Sequence, residues 1–180
     1  KKSAENLYRQ IQEQPRTFEG NFWHKAIYPN QVWLDGLYMA QPFYALYETT
    51  FGSGDVSDTL SQIANVRLRM FDEARKLYYH GYDATRTIFW ADPVTGCSKN
   101  FWLRSVGWFS VALVDLCEIL PNGAGRDRLC EIFNELIAGV APYADKETGL
   151  YWQVVDQGGR EGNYLETSGS SMLAYSMLKG

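Results

Sequence analysis

The side chains best suited to moving protons or holding anions sit in a few short, aromatic-rich segments. Asp35 lies in Trp33-Leu-Asp-Gly-Leu-Tyr-Met39, at the start of an apolar stretch. A carboxylate there can cap a helix, because free N–H groups and the helix dipole favour negative charge at the N-terminus. It can also serve as a general acid, since Trp33, Tyr38 and Met39 would leave it poorly hydrated and favour its protonated form. Arg104 and Trp108, in Asn100-Phe-Trp-Leu-Arg-Ser-Val-Gly-Trp108, stand i, i+4 and share a helix face. An arginine in so apolar a run needs a partner. The partner is either a core carboxylate or the carboxylate of a ligand, which the planar guanidinium holds with two hydrogen bonds. In His80-Gly-Tyr-Asp83, a helix C-terminal cap and a turn are the simplest roles. In Glu166-Thr-Ser-Gly169, capping comes first and a second rim carboxylate is the sharper alternative.

Helices must position these groups. Apolar spacing predicts helices over 3–13, 31–49, 56–80, 100–119, 124–141 and 163–179. The segments 56–80 and 124–141 are amphipathic, whereas 31–49 and 100–119 are apolar nearly all round. A helix apolar on every side must be buried on every side, and a half-polar one can lie outside it. The alternation therefore predicts an all-α fold of inner and outer helices. A turn pattern repeats before the inner helices: Asp92-Pro-Val-Thr-Gly96 and Asp145-Lys-Glu-Thr-Gly149, each with Asp opening the turn and Gly at the positive-φ position. Such repeats signal stacked helical pairs. We expect residues 1–180 to form about half of a six-hairpin α/α barrel, with a short open solenoid as the alternative. The loops before inner helices carry Trp, Tyr, His, Gly and Asp, and those before outer helices are plain polar turns. The chemistry is thus expected at one rim, where inner-helix N–H groups favour a carboxylated sugar.

Composition narrows the classes. The 180 residues carry a net charge of −4 and no basic run with interleaved aromatics, so nucleic acid is not an expected partner. No membrane segment or signal peptide is visible. Aromatic residues make up 15% of the chain, enough for a core and a cleft of flat faces on which sugars stack. Cys97, Cys117 and Cys130 have no metal-type spacing, and Cys117 and Cys130 read as small core residues. With only His24 and His80, and no HExxH, no metal site is expected. Both ends look cut rather than natural, so the compartment cannot be read from them.

The segments Phe22-Trp-His-Lys25, Tyr28-Pro29, Trp33-Leu-Asp-Gly-Leu-Tyr-Met39, His80-Gly-Tyr-Asp83, Asn100-Phe-Trp-Leu-Arg104 with Gly107-Trp108, and Glu166-Thr-Ser-Gly-Ser170 resemble the unsaturated rhamnogalacturonyl hydrolases of glycoside hydrolase family 105. They also resemble, less closely, the family 88 unsaturated glucuronyl hydrolases. The resemblance runs from about residue 20 to the end. It implies a bacterial six-hairpin α/α-barrel enzyme of cytoplasm or periplasm, with no metal or organic cofactor. The implied substrate is an oligosaccharide ending in a Δ4,5-unsaturated galacturonyl residue, as left by pectin and rhamnogalacturonan degradation. It implies Asp35 as the catalytic acid and base, with His24, Trp33, Met39, His80, Trp102, Arg104 and Trp108 around the unsaturated sugar. A further aspartate of that family falls on an inner helix that would precede Lys1. The rest of the barrel, or a second copy of the chain, is the expected partner of its open flanks. Two other classes compete: a non-catalytic carbohydrate-binding helical module, which has no use for Asp35, and an α/α-barrel polysaccharide lyase, in which Tyr38 or His80 would act as base beside Arg104.

Overall fold

The computed structural model describes residues 2–180, and it is helical with short strand pairs at the helix entries. The helices are α1 (Lys2–Glu13), α2 (Leu34–Phe51), α3 (Ser57–Met70), α4 (Leu103–Ile119), α5 (Ala124–Val140) and α6 (Thr167–Lys179). Helix α4 is central and packs on α2, α6 and α5. Its Leu103, Phe109, Ala112, Leu113 and Leu116 are all 0% exposed. Burying each of the larger ones contributes roughly 1.5–3 kcal/mol. Helices α2, α4 and α6 therefore form the inner layer, with α3 and α5 outside. This is the alternation of half-polar and apolar segments read from the sequence.

Along the first turns of α4 only Arg104 and Trp108 escape full burial. They mark the stripe of α4 that its neighbours leave partly uncovered. On the far wall of α4, Tyr78 meets Phe109 edge-on at 5.1 Å and tilts against Phe71 at 4.8 Å. Between α4 and α6, the buried hydroxyls of Ser110 and Ser176 bond each other at 2.9 Å, so this polar pair costs little despite its burial. Cys117 and Cys130 bring α4 and α5 together with their Sγ atoms 2.9 Å apart, while Cys97 is buried elsewhere.

Several expected boundaries are corrected. The helix predicted over 56–80 ends at Met70 and gives way to a hairpin of β2 (Phe71–Asp72) and β3 (Leu77–Tyr78). Its turn copies the other two: the Asp72 carboxylate accepts from Ala74 and Arg75 N–H, and Lys76 takes φ 57° where Gly96 and Gly149 take 81° and 72°. With Lys in place of Gly, the turn was hidden behind apolar residues that happen to keep helical spacing. The three inner helices also begin later than predicted. Residues before them are extended and paired instead: β1 (Gln31–Trp33) with β4 (Gly81–Asp83), β5 (Tyr151–Trp152) with β6 (Leu165–Glu166), and Trp102 opposite Val154. These pairings join each inner-helix entry to a neighbouring loop and hold the N-termini together.

Helix α1 buries no residue, and Leu7, Leu46, Phe51 and Leu178 are 49%, 51%, 58% and 89% exposed. The two flanks of the layer, α1–α2 on one side and α6 on the other, are thus apolar and open. No helix among the described residues is long and apolar enough to cross a membrane.

Gly139 fixes how the β2–β3 hairpin sits on α5. A Cβ there would fall onto the Lys76 carbonyl oxygen, which is backbone and cannot step aside. Replacing a helical glycine by alanine ordinarily stabilises by roughly 0.5–1 kcal/mol. Here Gly139→Ala is expected to destabilise by about 1–3 kcal/mol through overpacking, read from denaturant midpoints. A variant as stable as wild type or more so would mean the hairpin does not rest on α5.

Candidate active site

The inner-helix entries converge on one rim. Asp35 is in the first turn of α2, where Trp33 is the N-cap and offers no side-chain bond. The Asp35 carboxylate does not cap its own helix. Its Oδ2 accepts the hydroxyl hydrogen of Ser105, in the first turn of α4, and Oδ1 takes no hydrogen bond from the described residues. The capping role is therefore not the one adopted. Ser105 is 0% exposed and was not singled out in the sequence. Only its place beside Arg104 could have suggested it.

On the α2 side, His24 stacks on Trp33 with ring centroids 4.7 Å apart and planes 2° from parallel. Gly36 makes room for this: a Cβ there would stand 3.1 Å from His24 Nδ1. Trp33 meets His80 edge-on at 6.2 Å, and His80 meets Trp102 in the same way at 6.0 Å. His80 follows the β2–β3 hairpin rather than closing a helix, which corrects the expected C-terminal cap. Its Nδ1–H donates to the Asn100 carbonyl at 2.8 Å, so Nε2 is left with a free lone pair. Asp83 is the turn former expected, 2% exposed, with its carboxylate accepting from Thr85, Thr87 and Ile88 N–H.

The Arg104 guanidinium lies 4.4 Å over the Trp102 ring. Among the described residues it has neither an ion pair nor a hydrogen bond, so the core carboxylate considered for it is not present. Trp108 sits one turn deeper and stacks on Tyr38 at 4.6 Å. Met39 is 59% exposed, one turn from Asp35, and shares a hollow of about 430 Å³ with His24, Trp33 and Gly36. Glu166 is both the cap and a rim carboxylate. Its Oε1 accepts from Ser168 N–H at 3.0 Å and from the Ser168 hydroxyl at 2.7 Å, and its Oε2 accepts from Gly169 N–H at 2.7 Å. The structure thus links Asp35, His24, Trp33, His80, Trp102, Arg104 and Trp108 at one end of the inner layer, while Met39 joins only His24 and Trp33, in the hollow that Leu7 and Ile11 of α1 also line.

The charges differ in kind. Burial opposes ionisation of Glu166, but the bonds from Ser168 and Gly169 and the nearby Arg104 charge hold it below its ordinary value. Glu166 is therefore a committed anion. Burial pushes both imidazoles below 6.5, and the negative charge of Asp35 reaches each ring and opposes the shift. For both histidines burial thus favours the neutral ring.

The rim of the α/α layer thus carries a carboxyl group with one oxygen free, an unpaired guanidinium and stacked aromatic rings. The whole of residues 1–180 matches the model of Glycosyl Hydrolase Family 88, and the chain belongs to that family. A solved family 105 glycoside hydrolase from C. acetobutylicum is 44% identical with a TM-score of 0.94, over 97% of this chain and 49% of that one. A solved chain described as a polysaccharide lyase is 25% identical with a TM-score of 0.73, over 98% and 46%. The unsaturated glucuronyl hydrolase of Bacillus sp. GL1 shares the fold at 15% identity and a TM-score of 0.74, over 99% and 48%. The 24.9 kDa protein in the picA locus of Rhizobium radiobacter is 40% identical over 142 residues, 78% of this chain and 60% of that protein. The chain therefore spans about half the length of the solved relatives and under two thirds of the curated one.

The histidine shifts give a direct measure of proximity. For a group depressed on folding, the unfolded chain takes up protons first. Stability should therefore be full above pH 6.5 and fall as pH drops from there through the folded values. NMR titration should show both rings with midpoints below 6.5, and Asp35→Asn should move both lower still by removing the opposing charge. A ring titrating above 6.5, or one indifferent to Asp35, would separate that histidine from the site.

Proposed function

We propose that this chain carries the catalytic rim of a hydrolase that removes Δ4,5-unsaturated uronic acid, of the galacturonyl type, from the non-reducing end of pectin- or rhamnogalacturonan-derived oligosaccharides. The observation that carries this reading is the inequality of the two rim carboxylates. Glu166 has both oxygens committed to donors, and Asp35 has one oxygen free. An unsaturated uronate is a vinyl ether, and one available carboxyl among the described rim residues suits it, whereas an ordinary glycosidase would need the remainder of the barrel to bring a second to the glycosidic oxygen.

In this mechanism Asp35, a carboxylate in the free protein, acts in its carboxylic acid form once substrate is bound and delivers its proton to C4 of the C4=C5 bond. Positive charge develops at C5 and the ring oxygen. Asp35, now a carboxylate, takes a proton from water as the hydroxide adds to C5, and so returns to its acid form. The hemiketal at C5 opens, leaving a hemiacetal at C1 that releases the leaving sugar as an alcohol. Ser105 orients the carboxyl group, and Arg104 on Trp102 receives the substrate carboxylate in its unpaired fork. His24, Trp33, His80, Met39 and Trp108 supply stacking faces and exclude water. No metal or organic cofactor enters these steps.

In the full-length protein, Asp35→Asn should abolish consumption of the unsaturated-uronate absorbance, a loss of at least about 10³-fold, with the circular dichroism of the fold retained. In heavy water the product should carry deuterium at C4. Turnover by the Asn variant, or product without deuterium, would sink the acid role of Asp35. The likeness to a solved polysaccharide lyase favours one second reading, with His80 Nε2 as base. Product analysis divides the two, since a lyase generates the unsaturated absorbance and this reaction removes it.

The open flanks belong to the same proposal. Apolar surface of that extent is rarely left bare on soluble monomers, and we take it to be covered by further hairpins of the barrel or by a second copy. Residues 1–180 expressed alone should associate in light scattering and should not turn over an unsaturated disaccharide. A monodisperse, fully active monomer would contradict this.

A further inference from the structure

Beside the rim lies a second hollow of about 450 Å³, lined by Trp33, His80, Phe89, Trp90, Lys99 and Asn100 among others. It shares Trp33 and His80 with the site above but holds residues that the proposed mechanism does not use. Phe89 is 89% exposed. Trp90 stands at right angles to Trp33 with centroids 6.5 Å apart. Lys99 is exposed and has neither an ion pair nor a hydrogen bond among the described residues. The nearby Asp92 carboxylate is occupied by the N–H groups of Val94 and Thr95. Asn100 accepts from Gln157 through Oδ1 at 3.2 Å, which leaves its Nδ2–H free to donate.

An exposed phenylalanine on a floppy loop would signify little. This loop is held from inside. Buried Asp83 takes three of its N–H groups, at 3.1, 2.8 and 3.0 Å, and the Thr85 hydroxyl as well. Ala91 closes it by bridging to Ser98. The backbone that carries Phe89 and Trp90 is therefore held, so a ligand need not bear the cost of ordering the loop.

We propose that this hollow is an additional sugar subsite, which takes an acidic pyranose of the leaving group beyond its first ring. The proposal rests on the hydrolase reading above. An unsaturated uronate has no substituent on C4, so it can only be the terminal residue. Every further ring must lie on the leaving-group side, and the hollow continuous with Trp33 and His80 is where such a ring would go. Phe89 and Trp90 offer faces for its apolar side, Lys99 a cation for its carboxylate, and Asn100 a donor for a hydroxyl.

The test uses the full-length protein with an unsaturated disaccharide, an unsaturated tetrasaccharide whose third ring is a uronate, and that tetrasaccharide with the third carboxyl reduced. Wild type should prefer the acidic tetrasaccharide to the disaccharide in kcat/KM by about tenfold, the worth of one stacking contact and one exposed charge pair. Phe89→Ala should lower the tetrasaccharide value about fivefold and leave the disaccharide unchanged. Lys99→Gln should erase the difference between acidic and reduced tetrasaccharides. Equal use of both lengths by wild type, or variants that keep the preferences, would overturn the subsite. A wild-type protein that leaves the disaccharide intact overturns the hydrolase reading instead. In that case calorimetric binding of a saturated uronate tetrasaccharide still decides the subsite, which stands if Phe89→Ala weakens it and falls if it does not.

Discussion

Helix α4 has almost no surface that water can wet, and the rest of the fold follows from covering it. Its buried positions run round the helix, so it is stable only with α2 and α6 on either side and α5 behind. The one stripe left partly uncovered begins with Arg104 and Trp108. Arg104 is accommodated in this stripe because its guanidinium lies over the Trp102 ring at the partly uncovered edge, where no carboxylate of the described residues pairs with it. The constraint that builds the core thereby also defines the open face.

The strand pairs at the helix entries convert this packing into a site. They are too short to form a sheet of any consequence, yet each one sets where an inner helix begins. Trp33 at the end of β1 faces His80 just before β4, Trp102 is paired to Val154, and Glu166 ends β6. Three parallel N-termini beside one another create a region that favours anions. Glu166 answers that field for α6 and is consumed by it. On α2 the N-cap is Trp33, and Asp35 two residues on is turned across to Ser105 of α4, so it bridges two helices instead of capping one. Two carboxylates near inner-helix entries, one at the N-cap and one inside the first turn, thus end with different hydrogen-bond partners, decided by which donor each one reaches.

Much of this could be read from the residues. The buried faces of α2 and α4, the outer character of α3 and α5, and the Asp-to-Gly turns at 92–96 and 145–149 all follow from periodicity and turn chemistry. The site residues fell within aromatic segments at helix entries, where stacking and capping types cluster. What was hidden has physical reasons. The hairpin at 71–78 keeps apolar residues at spacings that also suit a helix, and its positive-φ residue is Lys76 rather than glycine. The strand pairs are only two or three residues long, below the length at which alternation can show. The choice between capping and bridging for Asp35 depends on a serine across the helix interface, and no local pattern reports a partner so distant in sequence.

The loop from Asp83 to Ala91 carries the same lesson in another form. Its turn role was legible at Asp83, but its consequence, a held loop that carries an exposed Phe89 beside a half-buried Trp90, was not. Exposure of a single large apolar side chain is ordinary on protein surfaces. It acquires meaning only from rigidity and from place: the carboxylate beneath the loop removes its freedom, and the β1–β4 pairing sets it against Trp33. Binding surfaces for flexible oligosaccharides need such pre-ordered faces, because the ligand already loses its own torsional freedom on binding. In the subsite proposed above, a buried aspartate that takes no part in proton transfer governs recognition by holding the loop that carries the aromatic faces.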